Sequence, residues 1–160
     1  MHQVNSDATK TGWLTPLSLI QSLGEFDLDP CCPQIMPWRT AHTMFRYGER
    51  DGLNEPWFGR VWLNPPYGRQ ARDWIARLRD HGNGIALIPP RTGTAWFYKT
   101  AWSHADAICF VRGRIAFCLP DGTPAKKNNA PSCLVAYGAN NVEALHRTSH
   151  GVVVKWERKC

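Results

Sequence analysis

The chain has 160 residues, with 19 Lys and Arg against 13 Asp and Glu and a formal net charge of +6, a size that one hydrophobic core can organise. Hydrophobic residues make up 43% and charged residues 20%, which excludes a disordered chain, and no apolar run approaches the roughly 20 residues of a membrane span. The basic balance favours a polyanionic partner through long-range attraction and counterion release, which directs attention to nucleic acid.

Residues 1–10 are polar and lack the apolar stretch of a signal peptide, so a cytoplasmic location is expected. The reading is a single domain over 1–160, with 1–11 as a flexible leader and no separate target-recognition domain. Six cysteines (Cys31, Cys32, Cys109, Cys118, Cys133 and Cys160) form no CxxC pair, which predicts reduced thiols. The six His residues show no metal-ligand spacing, and no metal site is expected.

Thr15-Pro16 opens a short helix in which Leu17, Ile20 and Leu23 recur at helical spacing until Gly24. Phe26-Asp27-Leu28-Asp29 alternates as a strand that Pro30 ends, giving way to a Cys31-Cys32-Pro33 loop. A second strand, Val61-Trp62-Leu63, runs into Asn64-Pro65-Pro66-Tyr67-Gly68. The pattern Ala71, Trp74, Ile75, Leu78 then marks an amphipathic helix, with Arg72, Arg77 and Arg79 on its outer side. Strands follow at 85–88, 107–111, 115–119 and 132–137, with a helix over 94–102 and a polar loop over 121–130. A weak helix over 142–146 and an edge strand over 152–156 complete the pattern. Its rhythm predicts a compact α/β fold, a mostly parallel sheet with late antiparallel strands.

Ligands of such sheets collect at the carboxyl ends of the strands, where two loops stand out: Asp29-Pro30-Cys31 and Asn64-Pro65-Pro66-Tyr67. In the second, two prolines fix the backbone and remove two donors, leaving an amide and an aromatic ring at a strand end. That chemistry suits the exocyclic amine of a nucleobase, whose lone pair is delocalised into the ring. Two acceptors that draw its N–H bonds out of plane make the nitrogen a better nucleophile, and the Asn64 side-chain carbonyl and the Pro65 backbone carbonyl are candidates. Tyr67 is placed to stack on the base, an interaction typically worth about 1–3 kcal/mol. Taken singly, Asn64-Pro65-Pro66-Tyr67 is also an ordinary turn, and Asp29 and Asp51-Gly52 are equally consistent with turn formation.

Read together, these residues resemble the amino-methyltransferases with a (D/N/S)PP(Y/F/W) motif, and more closely the phage-type DNA N6-adenine methyltransferases, the phage Dam family. The resemblance rests on Trp13-x-Thr15-Pro16, Phe26-Asp27-Leu28-Asp29-Pro30-Cys31, Asp51-Gly52-Leu53, Trp62 to Gly68, Pro90-Arg91-Thr92 with Trp96-Phe97, and Ala130-Pro131-Ser132. It implies a Rossmann-like fold and S-adenosylmethionine as cofactor. Thr15, Pro16, Asp29, Pro30 and Cys31 would surround the methionine end, Asp51 with Gly52 the adenine amine, and Asn64 would border both cofactor and base. Asn64, Pro65, Pro66 and Tyr67 would hold the target adenine, flipped out if the DNA is a duplex. The chain departs from larger relatives by carrying Cys32-Pro33 where a glycine pair is usual. Asp29 and Asn64 stand only 64 − 29 = 35 positions apart, which leaves the acid expected at the cofactor ribose without a motif; Glu49 is the candidate.

Arg91, Arg112, Arg114, Lys126 and Lys127 are candidates for DNA phosphates, although surface cations are more often simply solvated. A second copy of the chain would enlarge the DNA surface. Methylation of cytosine N4 or of a protein glutamine uses the same acceptor geometry, and a non-catalytic DNA-binding module on this scaffold is the alternative from another class.

Overall fold

Every residue of the central strands 61–63, 84–88 and 133–137 is buried, and successive side chains enter opposite core clusters, so the sheet is covered on both faces. The computed structural model describes residues 13–125 and 130–157, so residues 1–11, Lys126, Lys127 and Cys160 lie outside the described residues. Strands β1 (Leu28–Cys32), β2 (Thr43–Arg46), β3 (Val61–Leu63), β4 (Gly84–Ile88), β5 (Ala107–Val111), β6 (Cys133–Tyr137) and β7 (Gly151–Lys155) form one sheet in the order β2-β1-β3-β4-β6-β5-β7. Pairing is parallel from β2 to β4 and antiparallel from β4 to β7, so β1 to β5 all point one way and β6 and β7 run against them.

Trp62, Ile85, Leu87 and Leu134 face one side of the sheet, packed with Leu19, Ile20 and Leu23 of helix α1 (Leu17–Leu23) and Val142, Ala144 and Leu145 of helix α4 (Ala139–Arg147). Val61, Leu63, Ala86 and Ile88 face the other, against Trp74, Ile75 and Leu78 of helix α2 (Ala71–His81) and Phe97 and Ala101. Helix, sheet, helix layering follows from the period-2 alternation of β side chains and the period-3.6 stripe of α2. All four residues expected to face inward on α2 are buried. Gly82 ends that helix in the left-handed region at φ 77°, its N–H bonded to the Leu78 carbonyl.

Several expectations are corrected. The expected 94–102 helix begins as Ala95–Phe97 (α3), capped by the Thr94 hydroxyl, and widens into a π-helical turn over Tyr98–Trp102. Pro30 does not end β1, because pairing toward β3 is confined to Leu28↔Val61 and the register toward β2 shifts between Asp29 and Cys32. A bulged stretch of this kind tolerates a residue without an N–H. Residues 115–119 are not a strand of the sheet. Ile115 and Phe117 are buried, which explains the alternation, but the segment makes only isolated bridges from Cys118 to Leu14 and Pro124. Arg77, expected on the outer face of α2, lies over the Trp57 ring and donates to the Leu53 and Glu55 carbonyls. Strand β2 has no counterpart among the expected elements. It fits between Asp29 and Asn64 because its connections to β1 and β3 contain no helix.

Candidate active site at the carboxyl edge of the sheet

The chain leaves β1 to build β2 on one side and returns to build β3 on the other. Such a reversal opens a crevice at the carboxyl ends of the two strands, where α/β sheets bind ligands. Here the crevice is widened because β1 and β3 pair only at Leu28↔Val61. Asp29-Pro30-Cys31 lines it from β1, and Asn64-Pro65-Pro66-Tyr67 leaves β3 directly above it. Arg91 follows β4 and Arg112 follows β5, so the directions of the strands carry these candidates to the same edge.

Asn64 is held by an unexpected partner. Its Nδ2 donates to Thr15 Oγ1 at 3.1 Å, and the Thr15 carbonyl accepts from Trp38 Nε1 at 3.1 Å. Thr15 is buried, and the segment carrying it is pinned by paired bonds between Leu14 and Cys118. With the amide nitrogen committed to Thr15, Oδ1 is left as the outward acceptor, and among the described residues nothing donates to it or to the Pro65 carbonyl. Tyr67 is 45% exposed as a residue, while burial around its hydroxyl pushes the phenol up to about 12. It therefore stays neutral and presents an apolar face.

Asp29 turns inward. Its Oδ2 accepts from the Thr40 hydroxyl at 2.5 Å and its Oδ1 from the Cys31 N–H at 3.0 Å. Burial pushes its carboxyl up to about 6, against the lowering effect of these two bonds. Asp29 thus shapes the loop from within. Burial also pushes the Cys32 thiol up to about 12 and the Cys31 thiol above its ordinary value, so both remain protonated and neither is a thiolate nucleophile.

Asp51 is exposed, and its carboxylate accepts from Leu53 N–H at 3.1 Å and Asn54 Nδ2 at 2.7 Å. A carboxylate offers about four acceptor positions, so these turn bonds leave room for a ligand. Gly52 presses its backbone onto β1: a Cβ there would meet the Pro30 carbonyl oxygen at 1.8 Å. The Asp51 and Asp29 loops are therefore one unit. Glu49 stands just past β2, where Tyr47 N–H bonds the Cys32 carbonyl at 2.9 Å, and it is close enough to raise the Cys32 thiol. The 43–46 run Thr-Met-Phe-Arg carries the β-branched and aromatic residues of a strand, a signal that locates Glu49 at a strand end.

The family model for DNA N-6-adenine-methyltransferase (Dam) matches residues 3–154. The chain belongs to the DNA N-6-adenine-methyltransferase family. No curated protein and no solved structure matches it. The exposed carboxylates of Glu49 and Asp51 and the hydrogen-bonded Thr15 and Asn64 side chains are polar groups of the kind that a methyl donor bearing hydroxyl and amine groups would bond.

Arg91, Arg112 and Arg114 are exposed, and Arg112 and Arg114 line a cavity of about 330 Å³ with Pro16, Ser18, Ser149 and His150. Through Pro16 this cavity adjoins Thr15, and so the Asn64 loop. A second cavity, at Trp57, Arg77, Asp80 and His81, lies at the carboxyl end of α2, behind the Asp51 loop, to which Trp57 bonds through the Gly52 carbonyl at 2.7 Å. Among the described residues there is no cluster able to hold a metal ion and no helix long and apolar enough to cross a membrane.

Proposed function

We propose that the chain methylates the N6 amine of adenine in DNA with S-adenosylmethionine as donor. The observation that carries this reading is the Asn64 amide, whose nitrogen donates to Thr15 Oγ1 and whose carbonyl receives no hydrogen bond among the described residues. Asn64 Oδ1 and the Pro65 carbonyl accept the two N–H bonds of the amine, localising its lone pair for attack. Tyr67 stacks on the base and fixes its plane. S-adenosylmethionine supplies a methyl group already activated on a sulfonium, so alignment by the chain matters more than a strong base. As the N–CH3 bond forms, the S–CH3 bond would break to leave a neutral thioether, and the now cationic amine would release a proton to water, its charge meanwhile stabilised by the same two carbonyls.

On this reading Thr15, Pro16, Pro30 and Cys31 border the methionine end of the donor, Asp51 and Gly52 its adenine, and Glu49 its ribose. Arg91, Arg112 and Arg114 contact phosphates around an extruded adenine, since a base within the duplex cannot reach the crevice. Cytosine N4 presents the same pair of N–H bonds; the family favours adenine. The test is a calorimetric titration with S-adenosylmethionine followed by nucleoside analysis of DNA incubated with enzyme and donor. N6-methyladenine is the expected product. Absence of donor binding, or N4-methylcytosine alone, would contradict the proposal.

A further inference from the structure

Ser132 immediately precedes β6, the strand between β4 and β5. The pairs Cys133↔Ile88 and Leu63↔Ala86 bring Ser132 and the Asn64 loop to the same end of β4 from opposite sides. Its carbonyl accepts from Val111 N–H at 3.1 Å, which fixes the backbone, and its side chain is buried. Among the described residues, Ser132 Oγ is the one buried side-chain nitrogen or oxygen without a hydrogen-bond partner. The Tyr67 phenol is near enough for the Ser132 hydroxyl to act on it, yet the two make no hydrogen bond. Tyr67 is exposed as a residue, while its phenol lies near enough to Ser132 and Cys133 for both to act on it.

A buried hydroxyl without a partner is unfavourable, and its nearest polar neighbour can act as donor or acceptor in return. We propose that Ser132 is a positioning residue for the base-holding loop: its hydroxyl pairs with the Tyr67 phenol once a purine stacks on the ring, fixing the ring's tilt over the adenine. This rests on the reading of Tyr67 as the stacking ring. Ser132 touches neither donor nor base, and acts only through Tyr67.

Four variants test it: Ser132→Ala, Ser132→Thr, Tyr67→Phe and the S132A/Y67F double substitution, each first shown to melt cooperatively. Loss of one neutral hydrogen bond corresponds to about a three- to tenfold effect. Ser132→Ala is expected to lower kcat by that factor with KM for DNA and donor affinity within about twofold, Ser132→Thr to restore it, and the double substitution to be no worse than Tyr67→Phe. Losses that multiply in the double substitution, or wild-type kcat in Ser132→Ala, would overturn the proposal. A second readout needs no activity. In fluorotyrosine-labelled protein titrated with a purine-rich oligonucleotide, the resonance missing from Tyr67→Phe should shift in the wild type and in Ser132→Thr. In Ser132→Ala it should respond differently; an identical response in wild type and Ser132→Ala would overturn the proposal even if no methyl transfer is found. Absent methyl transfer with a Ser132-dependent resonance would remove the functional reading alone.

Discussion

Gly52→Ala bears directly on the union of the Asp51 and Asp29 loops. The added methyl would lie 1.8 Å from the Pro30 carbonyl oxygen and 2.9 Å from its carbon, with the Trp74 ring at 3.0 Å on the other side. Non-bonded carbon and oxygen atoms need about 3 Å or more, so one backbone must retreat by more than about 1 Å, and Trp74 blocks the easy direction. Overpacking of this kind costs about 1–3 kcal/mol of stability. A 1 Å displacement between two parts of one binding site is also enough to lower function about a hundredfold. The assay is calorimetric titration with S-adenosylmethionine at a temperature where circular dichroism shows the variant folded. Affinity should fall about ten- to a hundredfold, a loss of roughly 1.4–2.8 kcal/mol. Gly93→Ala is the control, because a Cβ at Gly93 meets nothing within 4 Å. A folded Gly52→Ala protein that binds the donor within twofold of wild type would refute the claim that the two loops form one cofactor-binding unit.

Other consequences follow from the same geometry. Asp29 titrates at about 6 in the fold against an ordinary 3.8, so between those values the folded chain holds more protons than the unfolded chain, and stability falls as pH rises through that window. The difference corresponds to about 3 kcal/mol; thermal melts of Asp29→Asn, which lacks this titration, should show the wild-type advantage at pH 4 disappearing by pH 7, and parallel profiles would contradict it. Substituting Arg112 and Arg114 together by Ala should weaken DNA binding and flatten the plot of log affinity against log salt by about two. An unchanged slope in fluorescence anisotropy would remove these arginines from the DNA face.

Much of this arrangement was legible because burial and spacing speak locally. The Ala71, Trp74, Ile75, Leu78 stripe and the apolar run 85–88 are buried as their patterns predict, and the dipeptides at Thr15 and Asp51 contact Asn64 and Pro30 respectively. What stayed hidden depends on contacts distant in sequence. Nothing around Thr15 announces a bond to Asn64, 49 positions away. Asp29 reads in the sequence as a strand-end residue of a ligand loop, or as a turn former, and neither reading anticipates its bond to Thr40 or the bulge in β1. Residues 115–119 show the converse, since their alternation reflects true burial of Ile115 and Phe117 without a neighbouring strand to pair with. Strand β2 was obscured by the expectation of a helix between parallel strands, which this short connection omits.

The central claim is that the Asn64 carbonyl, aimed by Thr15, activates an adenine amine. Nucleoside analysis of DNA methylated in parallel by wild-type and Asn64→Ala protein, with donor affinity measured on both, tests it most directly. N6-methyladenine should accumulate with the wild type and fall at least a hundredfold with Asn64→Ala, the scale of losing one preorganised polar group at a reacting centre, while donor affinity changes less than tenfold. Asn64→Ala protein that methylates adenine at a rate near wild type would contradict the account.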